Sequence, residues 1–178
     1  AGYGFNKSHA AAYALISYQT AWVKCNHPHE FFASMMSSEY NNTDKLSIFV
    51  DDLKRFGIPI LPPCINKSSS EFTIEHGENK KSIRYSLSSI KNVGNEAVKK
   101  IVEIRNKCGS FRSIDDFLNQ IPFTLVTKKS FESLIKSGSF DILEKNRNKL
   151  YSSIDLMIAY SQSVQNDKAS NQQSLFSE

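Results

Sequence analysis

Residues 86–111 read SLSSIKNVGNEAVKKIVEIRNKCGSF, and the middle of that stretch decides the fold. From Glu96 to Lys107 there is neither Gly nor Pro, and Val98, Ile101, Val102 and Arg105 fall on one side at helical spacing, which predicts a helix. Lys91 to Asn95 predicts a tight turn before it, and a short first helix is expected to end near Ile90. That is a helix-hairpin-helix pattern. Gly94 lets a ligand approach the backbone, and the helix that follows starts with unpaired N–H groups and the positive end of its dipole, which together suit a phosphate. The candidate DNA-contact residues are therefore Lys91, Asn92, Val93, Gly94, Asn95, Lys99 and Lys100. Hairpins of this kind usually carry two glycines, as G-V-G. Here Asn92 takes the first place, a residue that tolerates left-handed geometry. An ordinary packing corner between two helices has the same local pattern.

Working outward, charge points the same way. The chain of 178 residues has a net charge of only +4, yet nine basic residues stand against Glu96 and Glu103 between Lys80 and Arg112, a local +7, so the remainder sums to −3. Such asymmetry favours a nucleic-acid partner over a merely solvated face. A hydrophobic content of 40% is enough for a real core. Cys25, Cys64 and Cys108 lie far apart without ligand spacing, so reduced thiols are expected, with no zinc site and no disulfide framework. No apolar run approaches the ~20 residues of a membrane span, and no signal peptide is apparent, so a cytoplasmic setting and no membrane partner are expected. The chain starts at Ala1 inside what reads as continuous structure, which suggests a piece of something larger.

The flanks are mostly helical. His9 to Lys24 is rich in Ala and apolar residues and predicts a well-packed helix; Glu30 to Glu39 predicts a short one. Asn42 or Thr43 can cap a third, carrying Leu46, Phe49, Val50 and Leu53, with Gly57 placed to stop it. Pro59, Pro62 and Pro63 make the next stretch extended, and EFTIE and SIRYSL around HGENK predict a β-hairpin. Beyond the helix-hairpin-helix, Ser113 caps a short helix, Thr127 to Ser137 forms another closed by Gly138, and Asn146 to Tyr160 forms the last. Ser161 to Asn171 reads as a polar linker. Its continuation ends on Leu175 and Phe176, large apolar residues that a disordered tail ordinarily lacks.

AGYGFNKSHAAAYALISYQTAWVK, FFASMMSSEYNNTDKL, LPPCINKS, IKNVGNEAV and ESLIKSGSFD occur in the order and spacing of the replicative family C polymerases, the alpha subunits of bacterial DNA polymerase III. The chain resembles that family from end to end. The resemblance implies a mainly α fragment with a small β-hairpin, a helix-hairpin-helix element and a flexible C-terminal tail. It implies residues 1–60 as the end of the fingers domain, 61–160 as the clamp-binding domain and 161–178 as a tail.

Several expectations follow from the resemblance. In the family the fingers close over the incoming nucleotide, so Lys7, Ser8, His9 and Tyr13 resemble positions near its triphosphate and sugar; alternatively Ser8 simply caps the helix. Gln172, Ser174, Leu175 and Phe176 resemble the short peptide by which such polymerases grip the sliding clamp. The family's catalytic aspartates and their Mg2+ ions belong to a palm domain outside this stretch, so no catalytic residue, metal site or cofactor is expected here. Asp51–Asp52 and Asp115–Asp116 read as solvated helix charge, because neighbours on a helix diverge by about 100°. The implied partners are duplex primer-template DNA, the sliding clamp and the remaining domains of the polymerase alpha subunit. A free-standing helix-hairpin-helix DNA-binding or repair accessory protein is the alternative from another class.

Overall fold

The computed structural model describes residues 4, 6–78 and 80–174. Helix α1 (Lys7–Asn26) begins at Asn6, whose side chain accepts a hydrogen bond from the Ser8 amide. Ser8 is thus not the cap: its hydroxyl donates to Asn6 Oδ1 at 2.8 Å. Pro28 opens α2 (Pro28–Ser38), and Asn42 caps α3 (Thr43–Arg55) by accepting from the Lys45 amide. Gly57, at φ 65°, supplies the left-handed residue that turns the chain out of α3.

Expected packing fails at α1. No residue of this helix is buried, and Tyr13, Leu15, Ile16, Tyr18 and Trp22 are all exposed. The reason is in its pattern: apolar residues surround the helix without forming a stripe, so a single neighbour cannot cover them. What holds α1 is its last turn. Lys24 pairs with Asp52 at 3.1 Å and lies over the rings of Phe31, Phe32 and Phe56, 5.2–5.8 Å from their centroids.

The expected hairpin is present as β2 (Thr73–His76) and β3 (Lys81–Arg84), antiparallel, with Ile74 opposite Ile83. The proline-rich stretch adds β1 (Ile60–Leu61), which pairs in parallel with β3, giving the order β1-β3-β2. Arg84, only 7% exposed, donates to Glu75 across the hairpin and to the Pro62 carbonyl, both at 2.8 Å. One core joins α2 and α3 to this sheet through Phe32, Met36, Leu46, Leu53, Phe72 and Ile83.

A second core gathers α4 (Asn95–Cys108), α5 (Ile114–Gln120), α6 (Lys128–Lys136), α7 (Arg147–Ser152) and the start of α8 (Ile154–Ser174). At its centre Phe117 meets Phe111, Phe131 and Phe140 with ring centroids 5.0–6.2 Å apart. Ser113, Thr127 and Asn146 cap α5, α6 and α7. The single helix expected from Asn146 to Tyr160 is two, since the Ser153 amide is shared between the Lys149 and Leu150 carbonyls at a Ser-Ser step of low helix propensity. The linker expected from Ser161 to Asn171 is helical, as α8 runs to Ser174. That segment contains no Gly or Pro to stop a helix already started. No described helix is long and apolar enough to cross a membrane.

Gly138 ends α6 at φ 80°, and a side chain there would meet the Arg147 guanidinium and lie 2.8 Å from Asp141 Oδ2. Arg147 donates from Nε to Asp141 at 2.8 Å, locking the turn. Gly138→Ala should therefore lower stability by about 2 kcal/mol, from left-handed strain and loss of that pair. Urea unfolding measures it; an unchanged midpoint would refute this account of the turn.

Candidate nucleic-acid interface

The hairpin turn alternates outward and inward. Lys91, Asn92 and Gly94 are exposed, while Val93 is buried in the second core and its amide donates to the Ile90 carbonyl at 3.0 Å. Asn92 has φ 68°, the one positive value among the described residues other than glycine, so it takes the left-handed place that a first glycine would fill. Two serines of α6 hold it there. Ser130 donates to the Asn92 carbonyl at 2.6 Å, and the Asn92 side-chain amide donates to Ser133 Oγ at 3.1 Å. Neither serine was singled out from sequence, because contacts 38 and 41 residues away leave no local signal.

Gly94 behaves differently. It is the N-cap of α4 with φ −74° and ψ 139°, a conformation any residue adopts, and a Cβ there would meet nothing within 4 Å. Neither backbone geometry nor internal packing demands glycine. No side chain caps α4, so its first-turn N–H groups lack a side-chain acceptor and the positive end of the helix dipole lies there.

The short helix expected before the turn is absent. Residues 87–92 form successive turns, and serine hydroxyls compete with the backbone there: Ser86 donates to the Ser70 carbonyl and accepts from the Ser88 amide, and Ser88 donates to Asn95 Oδ1. Beside these turns lies a cleft of about 490 Å³, walled on one side by Tyr40, Asn41 and Thr43 and on the other by residues 88–94.

The basic segment is less of a continuous surface than its count suggests. Arg105 points inward, donating to the Ile65 and Ser68 carbonyls at 2.8 and 2.7 Å, and burial pushes its guanidinium below the usual value. Arg84 is buried on Glu75, and Lys81 and Lys107 pair with Glu30 and Glu103. Lys99 lies 2.8 Å from Glu96, whose hydrogen bond and charge hold the lysine above its ordinary value. Lys91 and Lys100 form no ion pair among the described residues, although the Lys100 charge reaches Glu96 and Glu103. Lys91 and Lys100, at the hairpin and the first turns of α4, are thus open to a ligand, as are Lys80 and Arg112 at the two ends of the segment.

A helix-hairpin-helix motif family matches residues 57–150, spanning the hairpin and the second core. The chain belongs to the helix-hairpin-helix family. The resemblance to polymerase alpha subunits also holds: the chain is 48% identical over 176 residues to the DNA polymerase III subunit alpha of Caulobacter vibrioides and 44% over 175 to that of Borreliella burgdorferi. The subunit of Neisseria meningitidis serogroup A is 47% identical over 176 residues. These alignments cover 98–99% of this chain and 15% of each relative, so the chain spans about a seventh of their length.

The other expected sites lie apart from the hairpin. Lys7, Ser8, His9 and Tyr13 share the exposed N-terminal end of α1, with the His9 and Tyr13 rings 4.5 Å apart. Gln172 and Ser174 fall on the last turn of α8, and Leu175 and Phe176 lie outside the described residues. Asp51 and Asp52 pair with Lys54 and Lys24, and Asp116 accepts from the Arg112 amide at 2.9 Å, so these carboxylates serve helix structure. Among the described residues no three His, Cys, Asp or Glu side chains are grouped to hold a metal. Cys25, Cys64 and Cys108 are all free thiols, with Cys25 and Cys108 exposed.

Proposed function

We propose that this chain is the DNA-holding, clamp-tethering part of a replicative DNA polymerase III alpha subunit, acting in the cytoplasm. The observation that carries the DNA reading is the combination at the hairpin: an uncapped helix N-terminus, a glycine needed by nothing inside the protein, and Lys91 and Lys100, which form no ion pair among the described residues. Together they suit a phosphate of a duplex, bound without regard to base sequence. The tail residues Gln172, Ser174, Leu175 and Phe176 would bind the sliding clamp, and two weak contacts joined in one chain would hold the polymerase on DNA.

On this reading Lys7, Ser8, His9 and Tyr13 lie near the incoming nucleotide once the rest of the polymerase is present. The Mg2+ ions and palm carboxylates of the reaction belong to that remainder, and so does the surface that covers α1. The free-standing accessory reading is not favoured, because the alignments to polymerase subunits run through α1 and the hairpin alike.

The test is a fluorescence titration of the 178-residue chain with two duplexes of unrelated sequence across a salt series. Equal, weak affinities should appear, with log affinity falling linearly in log salt by about 0.9 for each phosphate neutralised. A salt-independent affinity, or none, would remove the DNA reading.

A further inference from the structure

The cleft beside the hairpin is not explained by the hairpin itself. Its near wall is the run 88–94, but its far wall, Tyr40, Asn41 and Thr43, comes from the α2–α3 turn, at the edge of the other core. About 490 Å³ is within the range of sites that seat a small ligand or a piece of a larger one.

Three features give that space a chemical preference. Its lining contains no carboxylate, whereas Lys91 stands in it. The polar groups around it that can donate are the Asn41 amide and the hydroxyls of Tyr40 and Thr43, with the open end of α4 at Gly94 beside them; the Ser88 hydroxyl is already spent on Asn95. Ser89 stands in the wall, 9% exposed, and its buried hydroxyl has no hydrogen-bond partner in the structure. Such an orphan calls for a reason, and an acceptor in the cleft would supply one once the hydroxyl rotates toward it.

Resting on the reading that the hairpin holds a duplex, we infer that this cleft seats a further phosphodiester of the same DNA, with Asn41 and Tyr40 as contact residues. The grip on DNA then spans both cores rather than the hairpin alone. A shared grip fixes the angle between the polymerase portion and the duplex, which one phosphate contact cannot do.

Asn41 is exposed, so its charge can be changed with little effect on folding, and matched thermal midpoints confirm that. Anisotropy titrations with one duplex, near 50 mM salt and above, compare Asn41→Asp and Asn41→Lys with Leu156→Asp, a similar charge change on an exposed site of α8. Asn41→Asp should weaken binding about fivefold, Asn41→Lys should strengthen it and steepen the salt slope by about one, and Leu156→Asp should stay within about twofold of wild type. If Asn41→Asp behaves like Leu156→Asp while wild-type binding remains salt-dependent, the cleft is empty of DNA and only this inference fails. If wild type binds no duplex, the hairpin reading fails and this inference falls with it.

Discussion

Replacing Lys91, Lys99 and Lys100 together by alanine should weaken duplex binding about a hundredfold near 0.1 M salt and flatten the salt slope by two to three. The magnitude follows from counterion release, at about 0.9 in slope for each phosphate lost, or nearly tenfold in affinity per contact at that salt concentration. Lys91 and Lys100, which form no ion pair among the described residues, should account for most of it. The Lys99 share is harder won, since removing that side chain also frees Glu96, which then repels phosphate from the first turn of α4. Lys107→Ala is the control. It removes a cation from the same helix, but one paired with Glu103 near the far end, so the slope should hardly change. Equal losses from the control and the triple variant would mean that net charge alone draws the DNA, and an unchanged slope in the triple variant would make the turn a packing corner.

Arg84 and Arg105 show why counting charge along the sequence overstated the basic face. Helical spacing set Arg105 on the side of Val98, Ile101 and Val102 and left Lys100 off it, a difference that a sum of charges ignores. Only the fold brings the Ile65 and Ser68 carbonyls to the guanidinium, and those bonds turn a surface charge into a clasp between α4 and the loop after β1. The features that were legible are those whose cause is local. Asn42 and Thr127 cap the helices they precede, Gly57 and Gly138 have the left-handed φ that stops them, and Asn92 has the geometry its place in the motif demanded.

Where local and tertiary causes compete, the sequence misled. A short helix was expected to end near Ile90, but Ser86 and Ser88 bond to their surroundings and hold the chain in turns. Helix α1 looked buried because it is apolar, and it is exposed because its apolar residues point in every direction. The cleft could not have been read at all. Its walls are separated by more than 40 residues and meet only through the packing of two cores.

Phe176→Ala should weaken binding to the sliding clamp about thirtyfold, the equivalent of roughly 2 kcal/mol. On the proposed reading Leu175 and Phe176 fill an apolar pocket of the clamp, and Gln172 makes the directional hydrogen bonds that set register. Truncating Phe176 leaves part of that pocket unfilled, whereas Glu178→Ala, beyond the apolar pair, should change affinity by less than about threefold. The helical course of α8 changes how the tether works. A flexible strand from Ser161 would search for the clamp, but a helix over residues 161–174 projects its end about 20 Å in one direction, at 1.5 Å per residue. Gln172 and Ser174 sit on the last turn of that helix, where helical structure is held by few bonds and can open at small cost. A directed strut limits where the clamp can lie relative to the hairpin, so Gly-Gly in place of Val164-Gln165 should lower avidity on a clamp loaded on DNA while leaving affinity for free clamp unchanged. Calorimetry of the wild-type and Phe176→Ala chains against purified clamp decides the main point. Equal affinities, or no heat from either, would mean that the tail has some purpose other than gripping the clamp.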